Sequence, residues 1–483
     1  MNLYQIIADG RINRYSALYT AAVCIGLSGF VILEESVAAL GTVTALALVC
    51  GISYWAIGRV ARRMSEPQLL IIRWIQLLKI AIVLPLVYFH WAPLLTPKPW
   101  QAWGYDPQRY FVQAQQWAQA GLTWQSRPIG AYVGVVYYYA ALAHVFGPSP
   151  AIPALANTLT TLLATLAIIG IARGLVKPPA RRLWLLGLIG LLPDILWFDC
   201  LSSRESLCLF LITVGITALM SVNKHLLSLK FSAGRLLSFL VALAALSMTR
   251  ATMAVVLLIV FVTQLSMTRQ KAYGLASRLI VILLVISALI GSAVIALNAG
   301  SAVTVANLTQ EDLTGLAANR ESQYVDDSVT RHLATDSPTI NALVAPIRSL
   351  FYIVNGPNAA IEHPSVLWDP SGAYVQSIAS ALTGTLNMLA LPLFVLGMRG
   401  ALRGGERNAF WAFVAPTIIL FLALGYGNQF IQVRYRTQLM PLYWAVVWMG
   451  LHESPGIRYK ATTWSYAAGA CAVGVLVAVK MLL

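Results

Sequence analysis

Long apolar runs alternate with short polar segments along the whole chain. A transmembrane helix needs about 20 predominantly apolar residues, since each residue adds about 1.5 Å along its axis. Most of the runs approach this length, although 236–249 and 437–451 are short for a complete span. The runs lie near 17–33, 37–58, 70–90, 129–146, 150–173, 182–199, 205–222, 236–249, 251–267, 279–299, 371–398, 409–425, 437–451 and 461–480. This pattern predicts an all-α integral membrane protein.

Composition supports the same class. Of the 483 residues, 58% are hydrophobic and 11% are charged, and the mean hydropathy is +0.72. A soluble domain usually carries about 25% charged residues. One soluble core could not bury this much apolar surface, so we exclude a soluble protein.

The excess of basic residues predicts orientation rather than nucleic-acid binding. The net charge is +15, and the cytoplasmic loops of membrane proteins collect Lys and Arg. The basic clusters are Arg11/Arg14, Arg59/Arg62/Arg63, Arg173/Lys177/Arg181/Arg182, Lys224/Lys230/Arg235, Arg269/Lys271/Arg278, Arg399/Arg403/Arg407 and Arg458/Lys460. All of them face the cytoplasm if 129–146 is a re-entrant or interfacial segment. We then expect about 13 transmembrane helices, with the N-terminus inside and the C-terminus outside.

This orientation divides the chain into five regions. Residues 1–90 hold the N-terminal transmembrane helices, and 91–150 form a first outer loop with amphipathic and re-entrant segments. Residues 151–299 hold the central transmembrane helices, 300–370 form a large outer loop, and 371–483 hold the C-terminal transmembrane helices. The loop 300–370 contains 8 of the 18 acidic residues and is long enough to act as a functional lid. Charged groups therefore gather on the predicted outer face.

A Tyr-rich segment in the first outer loop, GYDPQRYFVQAQQWAQAG, has the apolar spacing of an amphipathic helix. Such a helix would lie on the bilayer surface with its aromatic residues in the interface. Asp106 would be its N-cap and Pro107 its first helical residue. Capping is a sufficient role for Asp106, and a general base held at the membrane surface is the functional alternative.

The segment PDILWFDCLSSRES places four charged side chains between two apolar runs: Asp194, Asp199, Arg204 and Glu205. Charges near membrane depth are costly unless they are paired or face a polar cavity. An internal pair that staples this hairpin is one explanation. The other is phosphate binding, for which the planar guanidinium of Arg204 is suited.

Three further arginines fall on the predicted outer side. Arg250 lies between two short apolar runs, where it could reach lipid headgroups or bind a phosphate. Arg434 and Arg436 flank Tyr435, and the positive-inside bias cannot explain them there. Phosphate binding is their functional interpretation, and salt bridges to the acidic loop 300–370 are the structural one.

Lys79 lies deep in an apolar run, and we expect it to be paired. In the large loop, Glu321, Arg331 and His332 are candidates for substrate contacts, although a solvated loop face explains them as well.

Several of these segments resemble bacterial membrane glycosyltransferases of the GT-C superfamily. GYDPQRYFVQA is similar to the acidic motif in the first outer loop of that family, and the run IGAYVGVVYYYAALAHVF resembles the segment that follows it. LSSRESLCLFLI, Arg250 and GNQFIQVRYRTQLMPLYW resemble features of polysaccharide-assembly proteins in the same superfamily. Two features depart from the family: an extra span precedes the motif, and no acidic pair stands beside Asp106.

The resemblance implies a GT-C-like fold and a polyprenyl-(pyro)phosphate-linked sugar or glycan as donor. The acceptor would be a glycan, a lipid or a protein, at the periplasmic face of the bacterial inner membrane. Asp106 would be the catalytic base, and the donor phosphate would be bound by Arg204, Arg250, Arg434 and Arg436. Weaker candidates for substrate contacts are Tyr105, Arg109, Asp199, Glu205, Glu321, Arg331, His332 and Tyr435. No cofactor is predicted, and without an acidic pair beside Asp106 nothing in the sequence supports a divalent metal.

Two other functions fit the same pattern. An O-antigen or exopolysaccharide polymerase or ligase would join two lipid-linked glycans and would depend more on the arginines than on Asp106. A lipid-linked glycan flippase or transporter would have charges along a transmembrane path and interrupted helices in two matching halves. Charges gathered at one face favour the enzyme.

Overall fold

The computed structural model describes residues 36–60, 64–95, 106–123, 133–175, 182–226, 233–267, 373–403, 413–427 and 436–452, together with 353, 456, 459–460, 463 and 466–467. Regular structure within these residues is helical, with no strand. The predicted all-α class is therefore confirmed for this part of the chain. The first apolar run and most of 268–372 lie outside it.

Eleven α-helices are numbered here in chain order. They are α1 Ser36–Val60, α2 Glu66–Leu86, α3 Asp106–Gln119, α4 Val133–Phe146, α5 Ala151–Leu175, α6 Pro193–Cys200, α7 Glu205–Leu226, α8 Ala233–Met267, α9 Ala373–Arg403, α10 Ala415–Gly427 and α11 Met440–Gly450. A π-helical turn, Val87–Trp91, and the short helix Ala92–Leu95 extend α2.

Within the described ranges, four segments are long and apolar enough to cross a bilayer: Ala39–Val60, Pro67–Trp91, Ala151–Arg173 and Ile378–Leu402. The chain is therefore a helical membrane-embedded protein. The full set of about 13 spans stays a prediction. Helix α4 covers Val133–Phe146 within the run 129–146. The re-entrant or interfacial path of this run stays a prediction.

The apolar run 182–199 does not form one straight helix. A 3-10 helix, Leu183–Leu191, meets α6 at an angle of 51°. Pro193 begins α6, and Leu192 before it has an extended backbone at φ −59° and ψ 132°. The proline ring disfavours α-helical geometry in the preceding residue, so the chain bends at this point.

Arg250 divides α8 into two halves that fold back on each other. Its backbone is extended, with φ −160° and ψ 90°. Phe239 and Phe261 are 22 positions apart, which in a straight helix would separate them by about 33 Å. Their ring centroids are only 5.3 Å apart. Helix α8 is therefore a hairpin with Arg250 at its turn, in agreement with two predicted runs, 236–249 and 251–267.

The largest buried apolar cluster joins the 3-10 helix to α5, α7, α8 and α11. Glycines allow the closest helix contacts around it. A β-carbon on Gly397 of α9 would lie 2.0 Å from the Val446 carbonyl oxygen of α11, and one on Gly450 would lie 1.9 Å from the Leu393 carbonyl oxygen. The backbones of α9 and α11 therefore touch, as is common where small residues line the contact between membrane helices.

We expect Gly397→Ala to lower the free energy of unfolding by about 1–3 kcal/mol, because the added methyl group must push two backbones apart. Thermal unfolding in detergent measures the change. Gly170→Ala in α5 is the matched control, since no atom lies within 4 Å of its β-carbon position. Alanine there should leave the unfolding temperature unchanged or raise it. Equal behaviour of the two variants would contradict the close contact of α9 with α11.

Candidate functional site

Polar side chains are concentrated and buried in one short segment, from α6 to the first turn of α7. Each of them is at most 3% exposed: Asp194, Asp199, Ser202, Ser203, Arg204, Glu205 and Ser206. Charges in such a position are costly and tend to be functional or internally paired in membrane proteins. The partners of each group therefore decide which residues are free to act on a substrate.

Asp199 is held by side chains from three other helices. Its Oδ2 lies 2.5 Å from the Lys79 ammonium nitrogen of α2. Its Oδ1 accepts hydrogen bonds from the Thr161 hydroxyl of α5 at 2.8 Å and from the Ser206 hydroxyl of α7 at 2.5 Å. The expected pairing of Lys79 is confirmed. These internal partners favour a structural role for Asp199 over the predicted substrate contact.

The backbone that follows α6 is fixed by two side chains. The Asn157 amide of α5 donates to the Leu201 carbonyl oxygen at 2.8 Å. The Tyr139 hydroxyl of α4 donates to the Ser203 carbonyl oxygen at 2.5 Å. Residues 201–204 are not helical, so their backbone groups need partners of this kind in a buried position. Arg204 thus stands on a short segment whose path is set by α4 and α5.

The structure brings together three of the predicted site residues: Arg204, Glu205 and Arg250. Arg204 Nε lies 4.0 Å from Glu205 Oε1. Both guanidinium groups are buried, at 3% and 6% exposure, and both act electrostatically on the Cys208 thiol, as does Glu205. Within the described residues, two guanidinium groups and a carboxylate therefore lie in one buried region. Guanidinium groups in a dry environment are suited to binding an anionic ligand.

Helix α4 contacts both arginine-bearing segments. A β-carbon on Gly134 would lie 2.8 Å from Thr249 Oγ1 and 3.0 Å from the Met248 carbonyl carbon, so α4 touches the α8 hairpin beside Arg250. Through Tyr139 the same helix holds the residue before Arg204. One short helix therefore contacts the residues that directly precede both arginines.

The predicted amphipathic helix is present as α3, which begins at Asp106. Part of its apolar face packs against α4: Tyr110 and Ala114 are buried in a cluster with Val135, Val136, Tyr139 and Ala140. Helix α4 is itself apolar, so it can cover this face. The position of α3 at the bilayer surface stays a prediction.

Arg436 is engaged differently from Arg204 and Arg250. Its Nε lies 2.7 Å from Asp194 Oδ2, and its Nη2 donates to the Ser380 carbonyl oxygen of α9 at 2.6 Å. The Ser380 hydroxyl donates to Asp194 Oδ1 at 3.3 Å. This network favours a structural role for Arg436, which is fully buried, over the predicted contact with the donor phosphate. The sequence predicts a salt bridge from Arg436 to an acidic residue of the loop 300–370. In the structure the partner of Arg436 is Asp194.

Among the remaining predicted site residues, Arg109 is exposed on α3. The Asp106 side chain lies outside the described residues, and so do Tyr105, Glu321, Arg331, His332, Arg434 and Tyr435. Within the described part of the chain, no three His, Cys, Asp or Glu side chains come together as metal ligands. Tyr139 and Asn157 were not predicted, because an amide and a phenol inside apolar helices carry no local signal of the contacts that they make.

Removing one member of the Lys79–Asp199 pair should destabilise the protein more than removing both charges. Lys79→Met leaves a buried carboxylate without its cation and should cost about 3–5 kcal/mol. The double variant Lys79→Met/Asp199→Asn should recover much of that loss, because no unpaired charge remains. A double-mutant cycle from unfolding in detergent measures the coupling. Additive losses would contradict the ion pair.

Comparison with known proteins found no match. No protein-family profile matches the chain, and no curated protein or solved structure is significantly similar to it.

Proposed function

We propose that this protein is a membrane glycosyltransferase that uses a sugar or glycan donor linked to polyprenyl (pyro)phosphate. Transfer to an acceptor would take place at the periplasmic face of the bacterial inner membrane, in the assembly of a cell-surface polysaccharide or glycoconjugate. The GT-C-like features of the sequence motivate this reaction class. The observation that carries the proposal is the pair of buried guanidinium groups, Arg204 and Arg250, from two separate elements.

The chemistry of the reaction requires such a pair. Breaking the bond between the anomeric carbon and the phosphate oxygen leaves negative charge on the departing phosphate. Preorganised cations stabilise that charge most strongly where water is excluded. Arg204 and Arg250 are both buried and are both positioned by α4. Glu205, whose Oε1 lies 4.0 Å from Arg204 Nε, limits the repulsion between the two cations.

Asp106 is the proposed general base, and the packing of α3 on α4 supports this role. The Ala118 carbonyl oxygen near the end of α3 lies 3.4 Å from His144 near the end of α4. Tyr110, in the first half of α3, shares a cluster with Val135 in the first half of α4. Helix α3 therefore packs along α4, and Gly134 near the beginning of α4 contacts the Arg250 hairpin.

The proposed reaction proceeds in one displacement. A carboxylate at Asp106 accepts the proton of the acceptor hydroxyl, and the hydroxyl oxygen forms a bond to the anomeric carbon of the donor sugar. The bond from that carbon to the phosphate oxygen breaks, and the electron pair leaves with the polyprenyl phosphate. Arg204 and Arg250 neutralise the phosphate as it departs. Arg434 keeps its predicted role as a further phosphate ligand.

Replacing either arginine should abolish most of the transfer activity. Arg250→Gln and Arg204→Gln should each lower kcat/KM by about 100-fold or more, since each removes a charge from the leaving phosphate. The assay is transfer of labelled sugar from polyprenyl-phosphate donors in proteoliposomes. Arg235→Gln is the matched control, because Arg235 lies on the same hairpin as Arg250 but is exposed at its far end. Full activity of both site variants would contradict the proposal.

Asp106→Asn tests the base without disturbing the helix. Asparagine is close to aspartate in size and in its preference for helix N-termini, so α3 should still form, whereas proton transfer is lost. The expected result is a fall in kcat of about 100-fold or more, with a smaller change in KM and an unchanged unfolding temperature. Retained transfer by the variant would move the function toward the polymerase or ligase alternative, which depends on the arginines. Movement of intact donor across the bilayer without transfer would favour a flippase.

A further inference from the structure

Among the described residues, two neighbouring side chains just before α11 are buried without hydrogen-bond partners. Thr437 and Gln438 are each 1% exposed. Within the part of the chain that the structure describes, neither the Gln438 Oε1 nor its Nε2 has a partner, and the same is true of the Thr437 hydroxyl. Three polar atoms on consecutive residues are therefore withdrawn from solvent, and the described residues supply no replacement for water.

Such groups need a physical explanation. A buried amide that loses its hydrogen bonds to water without gaining others destabilises the folded protein. Unsatisfied buried polar groups are consequently few in native structures, and they mark a bound ligand, an ordered water or a functional strain. Gln76 of α2 shows the usual outcome, because it is 2% exposed and its Nε2 donates to the Thr158 carbonyl oxygen at 3.5 Å.

The chemistry of the two side chains selects an uncharged ligand. The charge of the adjacent Arg436 is already matched by Asp194 at 2.7 Å, so the segment has no need of an anion. The Gln438 amide offers two donors and an acceptor, and the Thr437 hydroxyl offers one donor and acceptor positions. A ligand with adjacent hydroxyls, each able both to donate and to accept a hydrogen bond, complements these donors and acceptors. Sugars carry adjacent hydroxyls of this kind.

The depth of this segment also fits the proposed reaction. Farther along α11, the Trp448 indole donates to the Arg182 carbonyl oxygen at 3.3 Å, beside a basic cluster predicted to be cytoplasmic. Gln438 is ten positions before Trp448, or about 15 Å along a helix. It therefore lies toward the opposite half of the bundle. Arg436 joins this segment to Asp194 on α6, and α6 leads directly to Arg204.

We infer that Thr437 and Gln438 form a subsite that binds the hydroxyls of the sugar carried by the lipid-linked donor. This assignment rests on the proposed function, which it deepens by separating recognition of the sugar from recognition of the phosphate. The arginines then bind every polyprenyl phosphate, whereas Thr437 and Gln438 distinguish the sugar-bearing lipid from the bare one.

The test compares two lipids and two variants. The probes are decaprenyl phosphate alone and decaprenyl phosphate carrying one hexose, supplied separately as the glucose, galactose and mannose forms. Binding to the purified full-length protein in nanodiscs is measured as Kd. Wild-type protein should bind at least one hexose-linked lipid more tightly than the bare lipid. Gln438→Met should lose that difference, a fall of about fivefold to tenfold for one or two hydrogen bonds, while its affinity for the bare lipid is unchanged.

The unfolding temperature of the ligand-free variants provides a second readout. Methionine is similar in size to glutamine and removes the unsatisfied amide, so Gln438→Met should unfold at the same or a higher temperature than wild type. Gln76→Met is the matched control: it removes an amide that has an internal partner, so it should lower the unfolding temperature and leave the preference for hexose-linked lipid intact.

Three results overturn the subsite: a wild-type protein that binds the bare and hexose-linked lipids equally, a Gln438→Met variant that keeps the wild-type preference, or a lower unfolding temperature for that variant. Failure of the proposed function looks different, because then neither lipid binds and Arg250→Gln changes nothing. In that case the sugar subsite is overturned as well. The unfolding temperature of Gln438→Met then shows only whether the Gln438 amide is unsatisfied, which predicts an unchanged or higher temperature, or structural, which predicts a lower one.

Discussion

The ion pair between Lys79 and Asp199 is the contact on which the centre of this protein depends. Water cannot solvate charges within the bilayer, so each must be matched by another group of the chain. Asp199 meets this requirement with an ammonium group from α2 and hydroxyls from α5 and α7. Four helices are thereby tied to one carboxylate. This arrangement also fixes the position of the loop that follows α6, which carries Arg204.

The same requirement separates the buried charges into two kinds. Asp199 and Asp194 each have a cation within 2.7 Å and further hydrogen bonds, so these internal partners stabilise the two buried carboxylates. Around Arg204 and Arg250 the contacts are of another kind: Glu205 Oε1 lies 4.0 Å from Arg204 Nε, and the guanidinium of Arg250 comes from a separate element. The closer pairing of Arg436 with Asp194, at 2.7 Å, favours a structural role for Arg436, so Arg204 and Arg250 are the proposed phosphate ligands.

Much of the candidate site was visible in the local pattern. Arg204, Glu205 and Arg250 stood out because charges interrupting apolar runs are rare, and the structure brings these three together. Helix α3 was predictable from its apolar spacing and from Asp106-Pro107. What local patterns could not supply was the identity of partners. Arg436 and Asp194 are 242 positions apart, and no periodicity relates them. Gln438 carried no signal either, because an amide is notable only when its surroundings leave it unsatisfied.

By itself, the sequence determined that the chain is helical and membrane-embedded, since apolar residues in runs of this length have no other stable environment. It also determined where helices break, as at Pro193, because the ring of proline acts on its immediate neighbour. Only the tertiary structure decided which charged side chains pair with one another. It folded α8 back at Arg250, covered α3 with α4, and paired Lys79 with Asp199. Those outcomes depend on contacts between segments that are distant along the chain, and the energies of such contacts cannot be predicted from a local stretch of residues.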